Sequence, residues 1–392
     1  MANKIKIGII GLGNMGGGHL RYLCDMPEAE IAGVCDVVRE KADGCAAQYN
    51  TKAYYSYEEL YDKAGLDAVI IATPHYDHEP MAIDAFSRGI HVMCEKPVTV
   101  HVNGARRMIA AYNEAVKKFP NLLFGIMFQQ RTHPLYIKLK DLLTSGELGK
   151  LTRVTWINTA WFRSQAYYDS GGWRATWAGE GGGILTNQCP HDMDMYNWLF
   201  GLPSSVNGFA HIGKFHNIEV EDEVTAYMEH DNGMIGHFIC TTGECPGTNR
   251  LEIVGENGTL VCQNQKITYY KNRMSMLQFS NETKEGFGTV ENWETHIPIN
   301  QSLPFGHKTV TERFFKSILS GESSLVANGW EGLNPVMLAN GIMLSSFEKR
   351  AVMFPLDGDP YENKLKELAA SSNFKKNVSA DVNVDFEKSF SK

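Results

Sequence analysis

Three stretches of this sequence combine residue types and spacings that suit chemistry. Residues 11–16, GLGNMG, spell G-x-G-x-x-G. In that pattern Gly11 permits a tight turn, Gly13 lets the backbone approach a pyrophosphate, and Gly16 lets a helix lie close on a strand. Asn14 and Met15 fill the variable positions, where the opening helix offers free N–H groups to phosphates. Asp36 follows Gly16 by 20 residues. A carboxylate there accepts from a ribose 2′-hydroxyl and repels a 2′-phosphate, so NAD is expected ahead of NADP. Arg39 is the feature that keeps NADP open, since a guanidinium can stack on adenine or pair with a phosphate.

The second stretch is IHVMCEKPVT, with Glu95, Lys96 and Pro97 just past an apolar run. Ligands in open α/β sheets lie beyond the carboxyl ends of the strands. A lysine there, partly desolvated and near a cationic nicotinamide, has a lowered pKa and can accept or donate a proton. A cis Lys-Pro bond would aim it inward. The third is GGGILTNQCPHDMDMYNWLFG, residues 181–201. A continuous helix over about 183–199 would set Asn187 and His191, four apart, on one face, with His191 bonded to a substrate hydroxyl. Residues 161–177 add Trp161, Arg163, Tyr167, Tyr168, Trp173, Arg174 and Trp177. Aromatic faces pack on the C–H faces of sugar rings, so Arg163, Tyr167 and Trp173 are candidate substrate contacts. The same aromatics suit a core or a subunit interface equally well.

The elements that must position these residues alternate between strand and helix. Strands are expected at 5–10, 30–35, 68–72, 90–94 and 121–128, with helices at 14–25, 38–48, 77–88 and 104–118. Ser56 and Glu59 cap a further short helix that stops at Gly65. This is the grammar of a doubly wound parallel sheet, an α/β Rossmann domain over residues 1–129. Beyond 130 the pattern becomes α+β. A helix at about 134–145 precedes an alternating strand from 151, and successive antiparallel strands run over 222–270 with turns at Asp231–Gly233 and Glu256–Gly258. Helices follow at about 306–319 and 330–348. Residues 130–360 are thus expected to form a substrate-binding and oligomerisation domain on an open, mainly antiparallel sheet, and 361–392 a polar tail.

Composition narrows the function. With 392 residues, 43% hydrophobic and 21% charged, the chain can build full-sized cores. A formal net charge of −8, with no Lys/Arg cluster longer than a pair, argues against nucleic-acid or anionic-membrane partners. No apolar run reaches 18 residues, and the N-terminal MANKIKIGII enters a strand directly, so neither a membrane span nor a signal peptide is expected. Eight cysteines without a C-x-x-C pair suit a reducing, cytoplasmic setting. Cys189 and His191 are two apart on the expected helix and would diverge, as would Asp192 and Asp194, so no metal site is expected. No G-x-S-x-G elbow supports a hydrolase.

Taken together, the glycine loop with Asp36, ATPHYDHEPMAIDAFSRGIHVMCEKP, SGELGK at 145–150, and GGGILTNQCPHDMD with WLFG resemble the glucose–fructose oxidoreductase/inositol dehydrogenase (Gfo/Idh/MocA) family. The resemblance covers the chain to about residue 350. It implies Lys96 as catalytic acid/base, His191 as its partner, and a loop with Thr73, Pro74 and His78 along the cofactor, beside Glu95. It also implies a homodimer or homotetramer joined through the open sheet. Many members carry an aspartate where this chain has Asn187, an amide that cannot take a proton. The N-Q-C-P-H variant resembles members that oxidise sugars or intact glycosides, often at the ring 3-position. The expected activity is therefore NAD-dependent removal of hydride from a hydroxyl-bearing carbon of a small carbohydrate. The alternatives are a glycoside-cleaving enzyme that uses NAD transiently, and a non-catalytic sensor on the same fold.

Overall fold

The computed structural model describes residues 4–373. Strands that are apolar on both faces need cover on both sides, which a parallel sheet flanked by helices provides. The N-terminal part has this form, with β1 (Ile5–Ile10), β2 (Ala29–Cys35), β3 (Ala53–Tyr54), β4 (Ala68–Ile71), β5 (His91–Cys94) and β6 (Phe124–Ile126). They form one sheet in the order β3-β2-β1-β4-β5-β6, with every neighbouring pair parallel. The crossovers carry α1 (Asn14–Leu23), α2 (Arg39–Gln48), α3 (Tyr57–Lys63), α4 (His78–Ser87) and α5 (Val102–Lys118). Strand order reverses between β1 and β4, which opens the crevice where such sheets bind ligands.

A 3-10 turn, Gln129–Thr132, leads to α6 (Pro134–Thr144), β7 (Leu151–Asn158) and α7 (Gln165–Asp169). The helix expected over 183–199 is broken. It is α8 (Ile184–Asn187) and α9 (Pro190–Phe200), with Gln188 and Cys189 between them. Pro190 has no N–H to continue a helix and is well suited to start one, so it opens α9 in its first turn.

Next come β8 (Ser205–Ile212), β9 (Glu221–Glu229), β10 (Ile235–Thr241), β11 (Asn249–Gly255), β12 (Gly258–Gln263), β13 (Lys266–Asn272), α10 (Met276–Glu282) and β14 (Asn292–Ile297). The described chain ends with α11 (His307–Ser320), α12 (Leu333–Glu348), β15 (Val352–Met353) and α13 (Gly358–Ala370). The second sheet has nine strands, ordered β14-β13-β12-β11-β7-β10-β9-β8-β15. It is antiparallel except between β7 and β10. Sequence reading missed β3, β8, β14 and β15 for local reasons. Two are only two residues long, β8 has a ragged burial pattern, and β14 is exposed over most of its length.

Inward residues such as Val224, Ala226, Met228 and Phe238 share a core with Ile342 and Leu338 of α12. Gly208 allows the close approach, because a Cβ there would lie 2.4 Å from the carbonyl oxygen of Ile342. The opposite face is open, with Phe209 of β8 62% exposed. Late elements also return to the first sheet. Val310, Phe314 and Phe315 of α11 join the core of β1 and α1. The polar stretch expected from 361 begins inside α13, whose Tyr361 and Leu365 are buried. Its portion past 373 lies outside the described residues.

Candidate active site at the meeting of the two sheets

The glycine loop has the geometry its spacing requires. Gly11 sits at φ +86°, and a Cβ there would lie 2.6 Å from the carbonyl oxygen of Ala72. A Cβ on Gly16 would lie 1.9 Å from the carbonyl oxygen of Gly11, so α1 can lie on the loop only without a side chain. A Cβ on Gly13 would meet nothing within 4 Å. The open ground is therefore where a pyrophosphate must approach, and no side chain caps α1 at Asn14 and Met15. Asp36 directly follows β2 beside this loop. One carboxylate oxygen accepts from Leu12 N at 2.8 Å, the other from Val38 N at 2.9 Å. Arg39 is exposed, with its guanidinium 4.0 Å from the Tyr55 ring centroid. These residues fit a dinucleotide.

The second wall comes from the ends of β4 and β5. Thr73 turns its hydroxyl toward the Met81 sulfur, and Pro74 precedes a 3-10 turn. His78 is fully buried, its ring nitrogens 3.0 Å from the Thr73 carbonyl oxygen and 2.8 Å from that of Pro97. It thus ties the two loops together from within. Glu95 is buried and accepts from His19 Nε2 at 2.7 Å. His19 Nδ1 meets the Tyr22 hydroxyl, itself 2.8 Å from Thr311 Oγ1. Burial pushes the Glu95 pKa up. The His19 hydrogen bond and charge, with His307 and Lys96, outweigh it and hold the group at about 2. Nothing in the spacing of His19, Tyr22, His307 and Thr311 signals this cluster, because α1 and α11 are brought together only by packing.

Lys96 follows Glu95, and its bond to Pro97 is cis. The half-buried side chain donates from Nζ to the backbone carbonyl of Asn187 at 3.1 Å. Burial pushes its pKa down. Glu95 and Glu180 act against that shift, while Arg174 and Arg163 add to it. Asn187 and His191 do not share a helix face, because Pro190 separates α8 from α9. The Asn187 amide donates instead to the Glu180 carboxylate, a partner the sequence reading missed.

His191 is buried, with Nε2 2.8 Å from the Gln129 side-chain amide and Nδ1 without a protein partner. Burial, then Lys96 and His307, push its pKa well below the ordinary value, which favours the neutral imidazole. The neighbouring Asp192 and Asp194 diverge, while the Cys189 thiol lies within hydrogen-bond reach of Asp192. Asp192 accepts from Asn158 and Trp161, and Asp194 forms a bidentate pair with Arg131.

The 161–177 segment divides its aromatics between two uses. Tyr168 and Trp177 are buried core. Trp161, Tyr167 and Trp173 are half-buried. The Tyr167 ring has Arg163 at 5.1 Å and Arg174 at 4.8 Å, and Trp173 lies 6.0 Å from the His75 ring. The charges of Arg174 and Arg163 add to the lowering of the Lys96 pKa.

A G-x-G-x-x-G turn at the reversal point of a parallel sheet, with an amine just past the end of β5 in the same sheet, defines a dinucleotide-dependent oxidoreductase. The chain belongs to the GFO/IDH/MocA family. Residues 5–120 match its oxidoreductase family, NAD-binding Rossmann fold, and residues 136–261 match its GFO/IDH/MocA C-terminal domain. The protein is accordingly an NAD-binding oxidoreductase.

Among its relatives is scyllo-inositol 2-dehydrogenase (NAD(+)) of Bacillus subtilis, 28% identical over 275 residues, 66% of this chain and 74% of the relative. An inositol 2-dehydrogenase of Salmonella typhimurium is 32% identical over 149 residues, 37% of this chain and 43% of the relative. The WlbA dehydrogenase of Chromobacterium violaceum, solved with NADH and UDP-GlcNAcA, superposes with a TM-score of 0.78 at 26% identity, covering 91% of this chain and 98% of that one.

Proposed function

We propose that this protein is an NAD-dependent dehydrogenase that oxidises a secondary hydroxyl of a sugar, glycoside or cyclic polyol, with Lys96 as acid/base. The observation that carries the reading is the Lys96 amine. It stands at the carboxyl end of β5, with its pKa lowered by burial, bonded across to α8 and within the electrostatic reach of His191. NAD, when bound, supplies the hydride acceptor. Lys96, in its neutral form, takes the hydroxyl proton. His191 and Asn187 hold neighbouring hydroxyls, and Trp173, Tyr167 and Arg163 flank the sugar. Inositol and nucleotide-sugar relatives support a ring hydroxyl as the target. The N-Q-C-P-H sequence supports the 3-position. Eight free cysteines suit a reducing cytoplasm, and the open face of the nine-stranded sheet suits contact between copies in a homodimer or homotetramer.

The test is incubation with NAD and a panel of inositols, free sugars, glycosides and UDP-sugars, following NADH absorbance and products together. NADH formed without cleavage supports the reading. Cleavage without net NADH points instead to oxidation followed by elimination. Absence of both overturns the assignment.

A further inference from the structure

The neutral amide at 187 leaves α8 and α9 without a carboxylate facing Lys96, yet the structure brings one there from seven residues upstream. Glu180 is 2% exposed. One of its oxygens accepts from Ala175 N at 2.5 Å, the other from the Asn187 side chain. Its carbonyl oxygen lies 3.1 Å from His75 Nδ1. Both carboxylate oxygens therefore serve N–H donors.

The glycines that follow hold this arrangement tightly. A Cβ on Gly181 would lie 2.6 Å from Val100, one on Gly182 2.2 Å from Thr186 Oγ1, and one on Gly183 2.0 Å from the carbonyl oxygen of Glu221. The Glu221 carboxylate in turn takes Gly183 N at 2.9 Å and Leu185 N at 3.1 Å, fixing the start of α8. The residue whose side chain meets Glu180 is the one whose backbone carbonyl receives Lys96 Nζ.

We propose that Glu180 is the positioning carboxylate of the Lys96 site. It holds the Asn187 side chain, fixes the carbonyl bonded to the amine, and sets a negative charge beside it. Glu180 is not itself a proton carrier. Its effect reaches the reaction through Asn187 and Lys96, so the inference rests on the reading of Lys96 as acid/base. The other charged or titratable groups around Lys96 are Glu95, Arg174 and Arg163, together with His75, His191 and His307. Glu95 is already engaged by His19, which leaves Glu180 as the carboxylate joined to the Lys96–Asn187 bond.

The test measures Lys96 directly in the full-length protein, without substrate or NAD. Acylation by acetic anhydride is followed at a series of pH values, by mass spectrometry of the Lys96 peptide, with the exposed Lys63 as reference. Only the neutral amine reacts, so the midpoint of the rate profile reports Lys96 titration and the plateau reports access. Glu180→Gln removes the charge and keeps the shape. The midpoint is expected to fall, giving roughly threefold faster labelling at pH values below it, with the plateau unchanged. Asn187→Ala releases the carboxylate and should move the midpoint the same way. The double variant should move it no further than either single one, the signature of residues that act as a unit.

An unchanged or raised midpoint in Glu180→Gln overturns the proposal, as does a change confined to the plateau. If Glu180→Gln does not fold, Asn187→Ala decides by the same criterion. A protein inert toward the whole carbohydrate panel would overturn the proposed function but leave this midpoint measurable.

Discussion

Lys96 is an amine held where water is scarce, and that location gives it chemistry that a surface lysine lacks. Burial favours its neutral form, and the neutral form is the base. Lys96→Ala should therefore leave NAD affinity near normal and lower kcat about 10²–10⁴-fold. Lys96→Arg should do the same, because a guanidinium stays protonated. Steady-state kinetics beside NAD titration checks both, and near-normal turnover in either variant would refute the assignment. On the proposed reading, Asp36 is the residue that sets the cofactor preference. Its carboxylate is fixed by Leu12 N and Val38 N, so it stays beside the glycine loop. Asp36→Ala should raise the NADP-to-NAD ratio of kcat/KM about tenfold or more, through relief of like-charge repulsion worth about 1.4 kcal/mol.

At the scale of elements, the site depends on pieces that meet only in three dimensions. The Glu95–His19 pair binds the end of β5 to α1, and Tyr22 carries the contact on to Thr311 in α11. The folded Glu95 pKa of about 2 lies below the ordinary glutamate value of about 4.3. This pair therefore contributes stability above about pH 4.3, and the contribution is lost as pH falls toward 2. His19→Leu removes the side-chain donor of a buried carboxylate and leaves it only the Lys96 backbone N–H at 3.2 Å. It should cost about 3–5 kcal/mol near neutral pH and flatten the acid limb of the stability profile. Urea unfolding at several pH values measures both, and an unaltered acid limb would show that the pair is not the source. The α8–α9 break has a comparable consequence, since it frees the Asn187 amide for Glu180 while α9 aims His191 at Gln129.

Across the whole molecule, the cofactor sheet and the nine-stranded sheet are linked rather than strung in sequence. Leu333 packs against both the nine-stranded core and the core around β4 and β5. NAD binding to the glycine loop should therefore raise the thermal midpoint of the entire described fold in a single transition. At a hundredfold excess over Kd the stabilisation is about 2.7 kcal/mol. Calorimetry with NAD and with NADP at equal concentration tests this. Stabilisation by NADP equal to that by NAD would contradict the role given to Asp36.

What could be read along the chain is whatever depends on neighbours within about twenty residues. The parallel-sheet elements follow from apolar runs and helix caps. The glycine loop follows from backbone needs that only glycine meets, and Lys96 from its place after a strand. Contacts between distant segments could not be read this way. The His19–Glu95–Tyr22–Thr311 cluster, the return of α11 to the first sheet, and the Glu180–Asn187 pair leave no periodic trace, because burial and charge pairing act through space. The sequence reading ran one helix through Pro190, where the structure has a break. The partners gained by Asn187 and His191 depended on how α8 and α9 pack against Glu180, Lys96 and Gln129.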